Sequence, residues 1–271
     1  MPESEVISKV ILNEVTPDTS QHMLSDVSHL PGVQLGNFLL QFELEEPNEA
    51  VREIARRELR ETPENVQPAV DELRRLLEAD KDLYVPCERD AWLIRFLRPC
   101  KFYPESAYAL IKRYYGFKVK HHKHYEGLTP SKEQNVFNQN VLKVLPTRDQ
   151  LGRRVLVLEL GKNWNHNKCT LDEVFKGCVL FLEGAMLEPE TQICGAVVIF
   201  DMDGLSLQQV WQFTPQFAKR IVDWLQVADF ALLIHYLFRI NITNLYKNNF
   251  GHIFTFIIFY TRLIKDTKTN H

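Results

Sequence analysis

Residues 195 to 200 form an almost wholly apolar run, Gly-Ala-Val-Val-Ile-Phe, which constrains the fold more than any other stretch of the chain. A strand that is apolar on both sides is typical of the centre of a parallel sheet whose two faces are covered. An earlier strand is predicted at Val155–Leu160, and Thr170 with Glu173 forms a capping box that marks a helix start between the two strands. This order of strand, helix and strand predicts an α/β layer with at least one parallel pair.

Further helix signals surround the apolar strand. Pro189 is predicted to end the helix that starts after Thr170, because proline lacks an amide proton. Ser206 and Gln209 repeat the capping pattern, and Pro215 suits the first turn of another helix. The α/β pattern therefore continues to about residue 226.

The preceding region has a helical pattern. Pro68 and Pro104 are each expected near a helix start. Residues 46 to 126 are predicted to form an all-helical domain, and residues 1 to 45 a mobile tail with a short ordered piece at Phe38–Leu44. The helix that begins at Pro104 should bury one face, made of Ala107, Leu110, Ile111, Tyr114 and Phe117.

Charge and cysteine usage exclude several classes of protein. The 271 residues carry a net charge of −3, which does not suit a nucleic-acid-binding chain. The five cysteines form no C-x-x-C pair, which favours reduced thiols in a cytoplasmic protein over a disulfide framework or a zinc site. No run reaches the ~18 apolar residues of a membrane-spanning helix. We predict no cofactor and no metal.

Two stretches carry a resemblance to a known family. The first is Asp90-Ala-Trp-Leu-Ile-Arg-Phe-Leu-Arg, with its L-x-R-F-L-R core, and the second runs from Gly195 to Lys219. In this order the two motifs resemble the CRAL-TRIO lipid carriers, and in particular the retinaldehyde-binding and alpha-tocopherol-transfer branch. The resemblance covers residues 50 to 226.

This resemblance implies both a fold and a function. The implied fold is a helical N-terminal domain followed by an α/β domain, residues 127 to 226, whose sheet floors a lipid pocket gated by mobile helices. The implied function is the binding of a small hydrophobic ligand, a retinoid, tocopherol or similar lipid, and its transfer between membranes. Phosphoinositide binding and peripheral association with membranes are also expected, and an enzyme is not.

The predicted ligand-binding residues are the apolar positions of the second strand and of the helices around it. On that strand, alternation places every second side chain on the same face. The positions, which match the ligand-facing positions of the family, are Phe175, Cys178, Val179, Leu182, Ala196, Val198, Phe200, Leu207, Phe213, Ile221, Trp224 and Leu225.

Two groups of polar residues allow a chemical alternative. His121 and His124 follow several lysines, and could bind a metal, contact anionic lipid headgroups, or form a solvated basic helix end, the last being favoured. Asp201 and Asp203 follow a buried strand, where α/β enzymes place catalytic groups. We interpret them as ordering the turn at Gly204, because the chain has no nucleophile elbow, P-loop or G-x-G-x-x-G motif.

The resemblance is predicted to stop at Gln226, before the third strand and the basic gate helix of the family. Phe, Ile, Asn, Lys and Tyr make up 24 of the 45 residues from 227 to 271, a bias expected of translated AT-rich non-coding DNA. We interpret this divergent tail as a translated intron, so that the lipid-binding domain is truncated at its C-terminal part. The alternative functions are a phosphoinositide-sensing membrane-trafficking module without transfer, or a non-functional truncated product.

Overall fold

The computed structural model describes residues 32–232 and 234–239. It begins with a small antiparallel hairpin of β1 (Val33–Leu35) and β2 (Phe38–Leu40). The short ordered piece predicted at Phe38–Leu44 is thus a hairpin that starts five residues earlier. Most of the predicted N-terminal tail, and residues 240–271 of the predicted divergent tail, lie outside the described residues.

Helices follow the hairpin, as the sequence predicted. Asn48 caps the first of them by accepting a hydrogen bond from the amide of Val51, and Pro104 occupies the first turn of another. The face predicted for that helix is buried, from Ala107 to Phe117. The elements are α1 (Glu49–Leu59), α2 (Pro63–Ala79), α3 (Asp90–Leu97), a 3₁₀ turn (Arg98–Cys100), α4 (Pro104–Lys120) and α5 (His122–Tyr125).

The predicted helix start at Pro68 is wrong. Helix α2 begins at Pro63, and Pro68 lies inside it. Pro63 has the favoured position at the first turn, where a missing amide proton leaves no helix bond unmade. Pro68, one turn further on, removes the bond to the carbonyl of Glu64, and its own side chain is exposed.

The second half of the chain builds a four-stranded sheet with helices between the strands. The sheet order is β3-β4-β5-β6, with β3 antiparallel to β4 and the other neighbours parallel. This confirms the predicted α/β layer. Its elements are α6 (Gln134–Asn138), β3 (Leu142–Val144), β4 (Arg154–Glu159), α7 (Leu171–Ala185), α8 (Pro189–Cys194), β5 (Ala196–Asp201), α9 (Leu207–Val210), α10 (Pro215–Leu232) and β6 (Ile234–Arg239).

The sequence located the helix starts of this layer better than the helix ends. Both capping boxes are formed, with Thr170 and Glu173 at α7 and Ser206 and Gln209 at α9. The prediction that Pro189 ends α7 is wrong, because α7 ends at Ala185 and Pro189 is the first residue of α8. A proline that follows a helix suits the first turn of a new one equally well.

The expectation that no third strand follows Gln226 is also wrong. Helix α10 runs without a break from Pro215 to Leu232, and β6 then pairs in parallel with β5, Ala196 lying opposite Ile234 and Asp201 opposite Arg239. Residues 234–239, which the sequence analysis assigned to the divergent tail, therefore add a parallel strand to the sheet. Truncation of the domain at residue 226 is not confirmed.

The signature motif around Arg98 joins the helical region to the sheet layer. The guanidinium donates to both carboxylate oxygens of Glu61, at 2.9 and 2.7 Å, and to the side-chain carbonyl of Gln192 on α8, at 2.5 Å. One continuous core of buried apolar side chains extends from α2 to α10. The helices and the sheet thus share a core, and the predicted domain boundary near residue 126 remains a prediction.

Candidate functional site

An apolar cavity lies between one face of the sheet, helix α7 and helix α10. It opens among side chains that are buried or half-buried in the core. Its lining residues are Leu156, Leu158, Leu160, Leu171, Val174, Phe175, Cys178, Leu182, Val198, Phe200, Met202, Phe213, Phe217, Ile221, Trp224 and Leu225.

The strands β4 and β5 form the floor of the cavity. Their parallel register places Leu156 beside Val198 and Leu158 beside Phe200. Alternate residues of a strand share a face, so the rows continue beyond the strand ends, where Leu160 and Met202 also line the cavity. The floor thus lies towards the carboxyl ends of the parallel strands, where open α/β sheets commonly bind ligands.

Helix α7 forms one wall through a single stripe of side chains. Leu171, Val174, Phe175, Cys178 and Leu182 recur at the three- and four-residue spacing of one helix face. The capping box at Thr170 fixes where this helix begins and therefore which face meets the sheet. Burial raises the pKa of the Cys178 thiol to about 12, so this group stays protonated and acts as an apolar wall rather than as a nucleophile.

Helix α10 and the segment before it form the opposite wall. Phe213, Phe217, Ile221, Trp224 and Leu225 come from this part of the chain. The ring of Trp224 packs edge-on against Phe175 of the α7 wall, with ring centroids 5.5 Å apart. The two helices therefore meet directly across one side of the cavity.

Nine of the twelve predicted ligand-binding residues line the cavity. The other three are Val179, Ala196 and Leu207. Val179 is buried one residue beyond the α7 stripe, and Ala196 is buried at the opposite end of β5. Leu207 points outward from α9 and is 46% exposed. The ligand-binding role of all twelve stays a prediction.

The sequence interpretation missed seven lining residues. Leu156 and Leu158 alternate on β4, and Leu160 follows just past its end. The inward face of this strand could have been chosen by the same rule that was applied to β5. Leu171 and Val174 lie on the α7 stripe, one turn before Phe175 and Cys178. Met202 continues the alternation of β5 beyond the end of the strand, whereas the packing of α10 on the sheet brings Phe217 to the cavity.

The cavity is small in this structure. Its volume is about 60 Å³. Pockets that hold drug-sized ligands typically measure about 300 to 1,000 Å³. A ligand of that size therefore enters only if one of the walls moves outward.

Charged and imidazole side chains pack against the outside of the wall between α7 and α10. Arg220 pairs with Asp172 and contacts Nε2 of His124, which itself lies 3.7 Å from the same carboxylate. Burial, and then the charge of Arg220, lower the pKa of His124. Burial together with Lys120 and Arg220 lowers the pKa of His121 to about 4. The predicted solvated basic helix end is therefore wrong for these two half-buried rings, since His121 packs on Phe117 at 4.4 Å.

The acidic pair at the end of β5 orders a turn, as interpreted from the sequence. The carboxylate of Asp201 accepts a hydrogen bond from the amide of Asp203 at 3.0 Å. Asp203 pairs with Lys162 at 2.8 Å, and Gly204 takes the positive φ of 75° that the turn requires. Within residues 32–232 and 234–239, no group of three or more side chains has the arrangement of a metal site.

A floor of parallel strands and two apolar helical walls thus surround an apolar cavity. The CRAL/TRIO domain model matches residues 138–261. The chain carries a CRAL/TRIO domain, and the predicted resemblance to the CRAL-TRIO family is confirmed. Since the match continues 35 residues past Gln226, the predicted end of the resemblance is not confirmed. CRAL-TRIO relatives imply lipid binding and transfer in general.

Curated relatives fit the same family. The chain is 31% identical over 203 residues to "Alpha-tocopherol transfer protein-like" of Mus musculus, an alignment that covers 75% of this chain and 59% of the relative. It is 28% identical over 177 residues to "Clavesin-2" of Homo sapiens, covering 64% of this chain and 54% of the relative. The alignments thus span between half and three fifths of these relatives. No helix in the described part of the chain is long and apolar enough to cross a bilayer.

Proposed function

We propose that this chain binds a small hydrophobic ligand in the cavity between β4, β5, α7 and α10 and transfers it between membranes. The cavity lined by apolar side chains carries the proposal. A ligand that buries roughly 500 Å² of apolar surface gains about 12 kcal/mol before the costs of association. Those costs of several kcal/mol leave an affinity in the nanomolar to micromolar range. Tocopherol is the first ligand to test, in view of the name of the mouse relative, and retinoids follow from the resemblance predicted from the sequence.

A cavity-filling substitution tests the binding site. Cys178→Phe introduces a ring into the middle of the α7 wall, and we expect it to weaken tocopherol or retinol binding at least about tenfold. Val179→Leu is the matched control, since Val179 is buried on the same helix but does not line the cavity. Ligand affinity is measured by fluorescence titration, and far-UV circular dichroism checks that both variants fold.

Two outcomes would oppose this assignment. A folded Cys178→Phe protein that binds as tightly as the parent would place the ligand elsewhere. A parent chain that yields no bound lipid by mass spectrometry, and takes up neither tocopherol nor retinol, would contradict the carrier function itself.

Transfer also requires a surface that meets the membrane, and we assign this role to helix α9. Trp211, just after the helix, is 66% exposed and Leu207 is 46% exposed, while Gln209 and Val210 between them are buried. Residues four apart share one side of a helix, so the two apolar side chains project together. Tryptophan is favoured at membrane interfaces. The next apolar residue, Phe213, already lines the cavity, which connects this surface to the ligand.

Polar substitution of this surface should separate docking from ligand binding. We expect the double variant Leu207→Ser and Trp211→Ser to lose at least half of its sedimentation with lipid vesicles and to keep its ligand affinity. The control is Tyr84→Ser with Leu151→Ser, two apolar side chains of similar exposure elsewhere on the molecule. Equal losses in the two double variants would show that α9 is not the docking surface.

The proposal also includes a contact between the chain and phosphoinositide headgroups. Vesicles of phosphatidylcholine with and without a phosphoinositide should bind the parent chain differently if anionic headgroups contribute. A phosphoinositide-sensing module would dock on the anionic vesicles without moving tocopherol from donor to acceptor vesicles, whereas a carrier does both.

A further inference from the structure

The size of the cavity requires one wall to move, and up to Leu225 few charged side chains tie helix α10 to other elements. The floor is held by the backbone ladder of β4 and β5. The α7 wall starts from a complete capping box. In this stretch, α10 forms side-chain ion pairs with other elements through Arg220, which pairs with Asp172, and Asp223, which pairs with Lys120. The rest of the contact between α10 and α7 is apolar.

Arg220 is placed to control this wall. Its side chain is 13% exposed and lies between two rings that line the cavity, with the guanidinium carbon 4.9 Å from the centre of Phe175 and 5.0 Å from that of Phe217. The same guanidinium reaches Asp172 in the first turn of α7 and His124 in α5. One side chain on α10 thus ties together three elements at the edge of the cavity.

We propose that Arg220 is a latch that holds α10 against α7 and α5 and so sets how fast the ligand enters and leaves the cavity. This inference rests on the proposed carrier function. Arginine suits the task because its planar group pairs with a carboxylate and stacks on aromatic rings at the same time. It acts as a positioning residue, since it does not line the cavity.

Two histidines make the latch sensitive to acid. Neutral His124 accepts a hydrogen bond at Nε2 from Arg220, whereas its protonated form has no lone pair there and repels the guanidinium. The groups that face His124 are Arg220, Asp172 and Lys176, together with His121. The groups that face His121 are Lys120, Arg220, His124 and Asp223.

The sign of the pH effect follows from the direction of these shifts. Burial and neighbouring positive charge hold the pKa of both imidazoles below the usual value of 6.5. The closed arrangement, in which Arg220 holds α10 against α7 and α5, therefore favours the neutral imidazoles. The stabilisation that the neutral rings give to this arrangement is complete above pH 6.5. It is lost as the pH falls from 6.5 towards 4, because the open or unfolded state then takes up protons first. The latch should weaken in acid.

The latch is tested by exchange kinetics on the full chain. We expect Arg220→Met to raise the dissociation rate of bound retinol, followed by its own fluorescence, about tenfold relative to the parent. The control is Lys219→Met, because Lys219 is 71% exposed and pairs only within its own helix, with Asp223. Arg220→Lys, which keeps the charge but loses the planar fork, should fall between the two.

A measurement without ligand separates this inference from the proposed function. Amide hydrogen exchange of residues 215 to 225 in the ligand-free protein should be faster in Arg220→Met than in the parent, and unchanged in Lys219→Met. If retinol and tocopherol do not bind at all while exchange responds as expected, the carrier proposal fails and only the hold of Arg220 on α10 stands. If Arg220→Met leaves both exchange and dissociation unchanged, the latch is wrong.

A separate variant tests the role of His124 in the predicted pH dependence. Dissociation and amide exchange in α10, corrected for the intrinsic effect of pH, should both accelerate between pH 7 and pH 5 in the parent chain. His124→Gln retains an acceptor for Arg220 but does not titrate, so its acceleration should be at least threefold smaller. An equal acceleration in parent and variant would overturn the role of His124.

Discussion

Replacement of Glu188 by alanine should lower the free energy of unfolding by about 3 to 5 kcal/mol, as expected when one partner of a buried ion pair is removed. The Glu188 side chain is 3% exposed and accepts two hydrogen bonds from Arg154, at 3.1 and 2.6 Å. It also accepts from Arg148 at 3.1 Å and from the hydroxyl of Thr191 at 2.6 Å. The variant leaves Arg154, itself 8% exposed, without its main counter-charge.

Chemical denaturation of parent and variant measures this loss. The control is Glu58→Ala, which removes a carboxylate from a pair with Arg57 in which both side chains are more than half exposed. Exposed pairs of this kind contribute little to stability, because water screens both charges. A Glu188→Ala protein no less stable than Glu58→Ala would show that Glu43, 3.2 Å from Arg154, takes over the pairing.

Gly161→Ala should also destabilise the chain, by about 2 to 3 kcal/mol, because it overpacks a closed site. A methyl group on Gly161 would lie 1.9 Å from the carbonyl oxygen of Asp203, which is backbone and cannot rotate away. The two segments are further fixed by the bond from the amide of Lys162 to that oxygen, at 3.0 Å. The substitution should also disturb the cavity, because Leu160 and Met202 lie next to this contact and line the cavity.

Gly116→Ala is the matched control for this substitution. Gly116 lies inside helix α4, and a methyl group there meets no other heavy atom within 4 Å. Alanine in a helix interior is more favourable than glycine by about 0.5 to 1 kcal/mol, so this variant should be slightly more stable than the parent. Thermal melts of the two variants should shift in opposite directions. A shift of the same sign and size in both would contradict the close approach at Gly161.

The α/β part of the fold was predictable where local signals were strong. The capping boxes at Thr170 and Ser206 depend on side chains only three residues apart, so the sequence alone located the starts of α7 and α9. The apolar run of β5 and its alternation likewise placed Val198 and Phe200 on the face that lines the cavity. Pro189 was misplaced because a proline marks a helix boundary without saying which of two neighbouring helices it belongs to. Pro68 was misplaced because α2 starts at Pro63 and continues through Pro68.

Such local patterns could not predict the long-range contacts. Arg220 lies 48 residues from Asp172 and 96 from His124, and Arg154 lies 34 residues from Glu188. No local spacing relates these pairs. The signature Arg98 was recognised as part of a motif, yet its bonds to Glu61 and Gln192, which join the helices to the sheet layer, required the packed structure.

The sequence by itself determined the family resemblance, the α/β layer and most of the apolar side chains that meet in the cavity, because these depend on periodicity, capping and residue type. Only the tertiary structure decided that α10 continues past Gln226 and is followed by a parallel strand, that the cavity is closed to about 60 Å³, and that Arg220 contacts His124 at its edge. The physical reason is that these features depend on how separate elements approach one another. That approach is set by the packing of the whole core.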